Sequence, residues 1–132
     1  MDISNYTAFF HDGSVLDIEH ENNKIVLSMT SAEMDREDLK EPIELSRNDC
    51  IAGKLHIEGI KNVIVDGELL EKTLQKKHDD GQVFHFEIVD SNVSLEIIWS
   101  THPPNPAMEE FSEIFIEGQK VYWENIPDLS CK

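Results

Sequence analysis

Apolar and polar residues alternate with a period of two along much of this chain. The clearest case is VSLEIIWS, residues 93–100, in which Ser94 and Glu96 stand between apolar side chains. Successive side chains of a β-strand point to opposite faces of its sheet, so this segment has one apolar and one polar face. Such alternation is typical of antiparallel sheets with one face on a core and the other in water. The predicted core positions here are Val93, Leu95, Ile97 and Trp99.

Further alternating segments are joined by short polar connections that suit hairpins. The predicted hairpins are 15–20 with 24–29 through Glu21-Asn22-Asn23, 82–90 with 93–100 through Ser91-Asn92, and two runs within 113–126 that turn at Gly118-Gln119. Segment 54–67 contains two more runs, broken near Gly59. Parallel βαβ units would need a helix between most strands, and the chain offers one candidate at best. The sequence therefore predicts a single mainly β domain over residues 1–132, an antiparallel β-sandwich or flattened barrel of about eight strands with at most one short helix.

The same alternation assigns side chains to the core. In VFHFEIV we expect Phe84, Phe86 and Ile88 to face the interior, with His85 and Glu87 facing water. The other predicted core side chains are Leu55, Ile57, Ile114, Ile116, Val121 and Trp123.

Two connecting segments have a less certain pattern. ELLEKTLQKKH, residues 68–78, has acidic residues near its start and lysines near its end, which suits the dipole of a helix. Its leucine stripe is thin, so the outer half of a hairpin stays open as an alternative. The proline-rich stretch 101–111 is expected to cross between hairpins, with a helical turn after Asn105-Pro106.

The net charge of the chain restricts the classes of partner that it can bind. Eleven Lys and Arg against 27 Asp and Glu leave a net charge of −16. Such a surface repels phosphate backbones and anionic membrane faces, so we expect neither a nucleic acid nor a membrane as a partner. It attracts a basic protein, and it also keeps a protein soluble without any partner.

Cysteine content and the N-terminus suggest a cytoplasmic location. Cys50 and Cys131 make no disulfide framework and no CxxC zinc motif. We expect both thiols to be reduced and non-catalytic, because no histidine or pocket is placed beside them. The start of the chain lacks the pattern of a signal peptide, and no apolar stretch is long enough to span a bilayer.

The opening stretch FFHDGSVLDIEH groups five residues of metal-ligand type: His11, Asp12, Asp17, Glu19 and His20. Asp followed by Gly is a common turn pair, and a strand begins directly after it. On that strand, His20 shares a face with neighbouring apolar residues while Asp17 and Glu19 point away. We therefore predict a turn and a strand rather than a metal or catalytic site.

Two His-x-Glu pairs are candidate metal ligands. His56 with Glu58, and His85 with Glu87, each place an imidazole and a carboxylate on one strand face. If their strands were neighbours, the four side chains could form a zinc or nickel site of a small-ligand or metal-dependent enzyme. The alternative is that they decorate the wet side of a sheet as cross-strand pairs. We favour the second interpretation and predict no resident cofactor.

The segment SAEMDREDLKEPIE, residues 31–44, is the strongest candidate for partner binding. It reads as an exposed loop whose carboxylates could attract a Lys- and Arg-rich partner and give salt-sensitive association. The D-x-D-x-D-G pattern of a calcium loop is not there, and an unengaged solvated loop is the alternative. The six acidic residues are Glu33, Asp35, Glu37, Asp38, Glu41 and Glu44.

No catalytic residue can be assigned from motifs. The chain contains no G-x-S-x-G elbow, no H-E-x-x-H helix pattern, no phosphate loop and no G-x-G-x-x-G.

Three stretches resemble a family of small uncharacterised bacterial β-rich proteins: FHDG (10–13), HIEGIKNVIVDG (56–67) and IEGQKVYWENIPDL (116–129). The FHD opening and the late Trp-containing strands also resemble some immunity proteins of bacterial polymorphic-toxin systems. The resemblance implies a compact β-rich cytoplasmic protein that binds a partner without catalysis. It carries over no catalytic residues.

The leading hypothesis from the sequence is a non-enzymatic, acidic, protein-binding domain, immunity-like in role, that engages a basic partner. Tyr122 is a candidate aromatic anchor. The alternatives are the metal-dependent enzyme described above and a structural subunit of a homo-oligomer.

Overall fold

The computed structural model describes residues 1–101 and 106–130, and in this part of the chain it is a single antiparallel sheet of nine strands. The order across the sheet is β5-β4-β8-β7-β6-β1-β2-β3-β9. The mainly β antiparallel prediction is confirmed, and the sheet is not closed into a barrel. The strands are β1 (Ser14–Glu21), β2 (Lys24–Thr30), β3 (Ala52–Glu58), β4 (Asn62–Val65), β5 (Glu68–Leu69), β6 (Asp80–Val89), β7 (Asn92–Ser100), β8 (Glu109–Glu117) and β9 (Lys120–Asn125).

The described residues contain no α-helix, only four short 3-10 helices: Ile3–Asn5, Thr7–Phe10, Arg36–Asp38 and Pro127–Ser130. Among these residues no helix has the length and apolar character needed to cross a membrane. The predicted helical turn after Asn105-Pro106 is wrong: residues 106–108 are irregular and β8 begins at Glu109. The Thr101 N–H donates to the Met108 carbonyl (3.2 Å), which continues the pairing of β7 with β8 instead. Cys131 lies outside the described residues.

The sheet consists of two halves that share one core. The five-stranded half is β5-β4-β8-β7-β6, and the four-stranded half is β1-β2-β3-β9. They are joined where β6 pairs with β1, through only two register pairs, Ser14 with Gln82 and Val15 with Gly81. Buried side chains from both halves belong to one hydrophobic cluster. The short junction and the shared cluster indicate that the sheet bends there and that apolar side chains of both halves pack together.

The chain passes from one half to the other at Gly118-Gln119, where we expected a hairpin. That prediction is wrong: β8 pairs with β7 and β4, whereas β9 pairs with β3. Both edges of β8 are already occupied, so the strand that follows must find another partner. The crossing is held by backbone hydrogen bonds from Gly118 N–H to the Ser91 carbonyl (3.1 Å) and from Gln119 N–H to the Glu58 carbonyl (2.9 Å). A second crossing, between β3 and β4, follows the predicted break at Gly59.

Two other predicted hairpins are present. The turn between β1 and β2 is Asn22-Asn23, and Asn22 has a φ of 52°. The turn between β6 and β7 is Asp90-Ser91, one residue earlier than expected, and Asp90 has a φ of 58°. Asn and Asp tolerate this left-handed conformation, which two-residue hairpin turns require.

Segment 68–78 is not a helix. Glu68–Leu69 forms β5, which pairs with β4 across a turn in which Asp66 and Gly67 have φ of 54° and 83°. These are the dihedrals of a tight hairpin turn. The turn forms in place of the predicted helix, which would have had only a narrow apolar face of leucines to bury. The rest of the segment connects the two halves: the Leu70 N–H donates to the Val63 carbonyl of β4, and the Leu74 N–H donates to His20 of β1. Leu74 is buried there and belongs to the core cluster.

The side-chain assignments are confirmed in most strands. Val93, Leu95, Ile97 and Trp99 are at most 1% exposed. Phe84 is the exception: it was predicted to face the core, and 51% of it is exposed. A β-bulge interrupts the register between Val83 and His85, so Val83 takes the core position and the extra residue, Phe84, turns to the outside.

Candidate functional site

The acidic segment is exposed as predicted, and it is anchored at both ends. All six carboxylate residues are exposed, while Met34 and Leu45 are buried in the core. Two of the six are engaged locally. Asp35 accepts the Glu37 N–H (3.0 Å), and Glu41 accepts the Tyr6 hydroxyl (3.1 Å). The segment is thus a fixed acidic loop on the four-stranded half, beside the start of β3.

His56 and Glu58 lie on the outer face of the four-stranded half, each with its own partner. The His56 ring stacks on Tyr122, with 4.6 Å between centroids, and His56 Nε2 lies 2.8 Å from Glu124 Oε1. The Tyr122 hydroxyl donates to Glu58 Oε2 (3.1 Å). Lys24 Nζ lies 3.5 Å from the same carboxylate oxygen. Tyr122 first, and then Lys24, lowers the pKa of the Glu58 carboxyl. Tyr122 is therefore packed into this polar cluster.

His85 and Glu87 lie on β6, far from that cluster in strand order. Two strands, β1 and β2, separate β6 from β3. His85 Nε2 lies 3.3 Å from Glu87 Oε2, in a local pair on an exposed surface. The four side chains do not meet, and the described residues contain no group of three or more His, Cys, Asp or Glu able to hold a metal ion.

The five polar residues of the opening stretch are spread out. His11 Nδ1 lies 2.6 Å from the Phe84 carbonyl, and Asp12 accepts a hydrogen bond from Gln82 Nε2 (3.1 Å). His20 is at the far end of β1, where its Nδ1 accepts the Leu74 N–H at 2.8 Å. The stretch is a turn followed by a strand.

The hydrogen bond to His20 requires a neutral imidazole with its proton on Nε2. Partial burial lowers the pKa of His20, so as pH falls through the unfolded value of about 6.5 the unfolded chain takes up the proton first. We expect His20 to destabilise the fold as pH falls from above 6.5 to its folded pKa, and to contribute no further change below that. An NMR titration should give a pKa below 6.5. In His20→Asn, whose amide oxygen can accept the same N–H, the unfolding free energy should fall less over this window. A folded pKa above 6.5 would contradict the prediction.

Cys50 is a half-buried thiol with no sign of activation. Its Sγ donates to the Asn48 carbonyl (3.5 Å), and burial raises the pKa of the thiol. A raised pKa keeps the thiol protonated and unreactive near neutral pH.

The outer face of the five-stranded half carries a pair of exposed aromatic rings that sequence reasoning missed. Phe84 and Phe111 are 51% and 48% exposed, and their ring centroids lie 6.4 Å apart. Ile98 stands opposite Phe111 across β7 and β8. His11 packs its ring edge against Phe84, with 5.5 Å between centroids. The bulge on β6 is what brings Phe84 into this group.

Next along these strands comes a row of carboxylates. Glu96 and Glu113 stand directly opposite each other on β7 and β8. Neither carboxylate has an ion-pair or hydrogen-bond partner within the described ranges, and Lys77, which reaches this half, pairs with Asp66 and Glu110. Directly opposed like charges destabilise a sheet. The pair is thus a local cost, and His85, which stands opposite Glu96 on β6, contacts Glu87 instead.

A second apolar row follows, two residues further along the strands. Phe115 on β8 stands opposite Ile64 on β4, and Ile64 stands opposite Leu69 on β5. Between this row and the carboxylates lies a shallow depression of about 220 Å³, lined by Ile64, Phe115, His85, Glu96 and Glu113 among others. We call the whole surface the striped face: a first apolar row (Phe84, Ile98, Phe111), the carboxylate row (Glu96, Glu113) and a second apolar row (Ile64, Leu69, Phe115).

The sequence does contain a signal for this surface, namely a long stretch without basic residues. Residues 78–119, which include β6, β7 and β8, contain no Lys or Arg. More than half of the net charge of −16 therefore falls in this stretch. The nine acidic residues are Asp79, Asp80, Glu87, Asp90, Glu96, Glu109, Glu110, Glu113 and Glu117.

The opposed carboxylates predict a stabilising substitution. Glu113→Gln removes the repulsion from Glu96 and keeps the side-chain size, so we expect the free energy of unfolding to rise by about 0.2–0.5 kcal/mol, a small value because Glu113 is exposed. Urea unfolding at low salt would measure it. Glu109→Gln, near the start of β8 and opposite Ser100, is the matched control and should change stability less. A loss of stability in Glu113→Gln would show that the carboxylate has a favourable role in the free protein.

Comparisons with protein-family models, with curated proteins and with solved structures found no match to the chain.

Proposed function

We propose that this chain is a non-enzymatic binding protein whose partner is a basic protein. The observation that carries the proposal is the placement of Phe84 and Phe111, two half-exposed aromatic rings, on a sheet face that belongs to the stretch without Lys or Arg. Clustered exposed apolar side chains often mark interaction sites, and aromatic residues are frequent anchors of protein interfaces.

Charge supports the same partner chemistry. A surface with −16 net charge attracts a basic protein over long range and raises the rate of encounter. The anchored acidic loop, from Glu33 to Glu44, adds to this field from the other half of the sheet. Aromatic contact then supplies affinity at short range, while the carboxylates select against acidic partners.

The resemblance to immunity proteins suggests a role for such binding. We propose that the basic partner is a toxin domain, which the chain would hold in an inactive complex without a chemical step. A gene for a large toxin beside the gene for this chain would support this narrower proposal, and inhibition of the purified toxin domain would test it.

The experiment that tests the wider proposal has two stages. The tagged chain is first used to capture proteins from a lysate of its source cells at about 0.1 M and 1 M ionic strength, where the Debye length is about 10 Å and 3 Å. Each captured protein is then identified, purified and titrated against the chain by calorimetry. We expect a basic protein that binds with fixed stoichiometry at low salt and more weakly at high salt.

Variants tie that binding to the aromatic pair. Phe84→Ser with Phe111→Ser should weaken the purified complex by about tenfold or more, as expected for aromatic anchors. Val89→Ser is the matched control, because Val89 is as exposed (56%) but lies at the β6–β7 turn. The proposal fails if no basic protein binds the purified chain at low salt, or if the double variant binds as the wild type does.

A further inference from the structure

We infer that the striped face binds an extended segment of the partner in which one arginine stands between two apolar residues, in the pattern apolar-x-Arg-x-apolar. This inference rests on the proposed function and adds the place and chemistry of contact. It is built on the register of β6, β7, β8 and β4 and on the unpaired charges of the carboxylate row.

The spacing of the three rows matches the period of an extended chain. Phe111, Glu113 and Phe115 are consecutive outward residues of β8, two positions apart. A strand advances about 3.3 Å per residue, so neighbouring rows lie about 6.6–6.8 Å apart. An extended peptide that lies along β8 presents every second side chain to the sheet at the same interval. Its residues i−2, i and i+2 therefore meet the first apolar row, the carboxylate row and the second apolar row.

The carboxylate row selects a cation for the middle position. Glu96 and Glu113 oppose each other with no cationic partner in the described part of the chain. A positive charge between them removes their repulsion and pairs with both. Arginine fits better than lysine because its planar guanidinium can bond two carboxylates at once and stack on an aromatic ring. The depression of about 220 Å³ beside the row offers such a ring in Phe115.

The same charges argue against a second copy of this chain as the occupant. A symmetric dimer through this face would bring the carboxylate row against its own copy, and each copy carries −16. The described registers of the four-stranded half contain no directly opposed carboxylates. Asp17 stands opposite Ser28 and Glu19 opposite Val26. Glu58 and Glu124 stand opposite lysines.

The test is a titration of the ¹⁵N-labelled full chain with a peptide at low salt, in which binding is monitored through the amide NMR signals. The probe is the capped peptide acetyl-Ser-Leu-Ser-Arg-Ser-Phe-Ser-amide. One control peptide carries Gln in place of Arg. The other keeps the composition but changes the spacing, acetyl-Ser-Ser-Leu-Arg-Phe-Ser-Ser-amide. We expect saturable shifts at the amides of β7 and β8 around Glu96 and Glu113, with either control binding about tenfold more weakly, as expected for loss of a charged contact or of one anchor.

Two protein variants complete the design. Glu96→Gln with Glu113→Gln should lose the preference for the Arg peptide while the fold is retained, since this change is expected to stabilise the free protein. Glu37→Gln with Asp38→Asn makes a matched change in the acidic loop and should bind the Arg peptide as the wild type does.

Outcomes different from those expected above would overturn the inference. These outcomes are shifts confined to the acidic loop, equal binding of the Arg and Gln peptides, no saturable shift, or concentration-dependent shifts of the striped face without peptide, which would identify a second copy as its occupant. The peptide titration needs no captured partner, so the inference can fail while a basic protein still binds elsewhere, and a failed capture leaves the peptide result to stand by itself.

Discussion

Phe10→Ala is expected to lower the free energy of unfolding by about 3–5 kcal/mol, the range for loss of a fully buried phenylalanine. The Phe10 side chain is 0% exposed and lies between the two halves of the sheet. Its ring meets Phe86 of β6 edge to face, with 5.1 Å between centroids, and Trp123 of β9 at 5.7 Å. Phe10 therefore fills the gap between β6 and β9, two strands that do not pair with each other. Small domains are stable by about 5–15 kcal/mol, so the loss is a large share of the whole.

Urea unfolding followed by Trp fluorescence would measure this loss, with Phe9→Ala as the matched control. Phe9 is only partly buried, and its ring stacks on Tyr6 at 6.3 Å rather than between the sheet halves. We expect Phe9→Ala to cost clearly less than Phe10→Ala. Equal losses would mean that the gap between β6 and β9 is not closed by Phe10 in particular.

The sequence was sufficient for those parts of the fold that depend on local alternation. Whether a residue such as Leu95 or Ile97 is buried follows from its neighbours, because the side-chain period of a strand is two. The turns at Asn22 and Asp90 are likewise local, since a positive φ favours Asn and Asp.

The parts that were missed depend on which strands become neighbours. Alternation assigns a strand two faces, but it contains no information on its partners. The segment 113–126 therefore looked like a hairpin, although β8 pairs with β4 and β7 and leaves no edge for β9. The separation of His56 from His85 has the same origin, because it follows from the order of strands in the sheet.

The candidate surface could not be predicted from the alternation of the sequence because of the β-bulge in β6. A bulge adds one residue and shifts the face of those that follow, so strict alternation placed Phe84 in the core. The acidic loop around Glu37 was visible because charge and Pro42 mark it as exposed. The carboxylate row was visible only as single polar positions, since Glu96 and Glu113 meet through the pairing of β7 with β8.

Trp99→Ala should also cost about 3–5 kcal/mol, and it tests the packing inside the five-stranded half. Trp99 is the largest fully buried side chain, and its indole N–H donates to the buried Ser112 hydroxyl at 3.1 Å. Trp99→Phe keeps an aromatic ring but leaves Ser112 without this donor, which should cost about 1–3 kcal/mol. Chemical unfolding of the two variants compares the loss of the ring with the loss of the hydrogen bond.

The Trp99 ring packs directly over Gly81, and this contact can be tested separately. Gly81 is its cross-strand partner on β6, and a Cβ at Gly81 would lie 2.8 Å from ring atom Cζ3 and 3.0 Å from Cε3. Gly81→Ala in the wild type should therefore cost about 1–3 kcal/mol through overpacking. In the Trp99→Ala background the ring is gone and only Ile97 Cγ2, at 3.1 Å, stays close to the added Cβ, so the cost of Gly81→Ala should fall clearly. A double-mutant cycle measures this coupling, and strictly additive losses would show that the Trp99 ring does not cover Gly81.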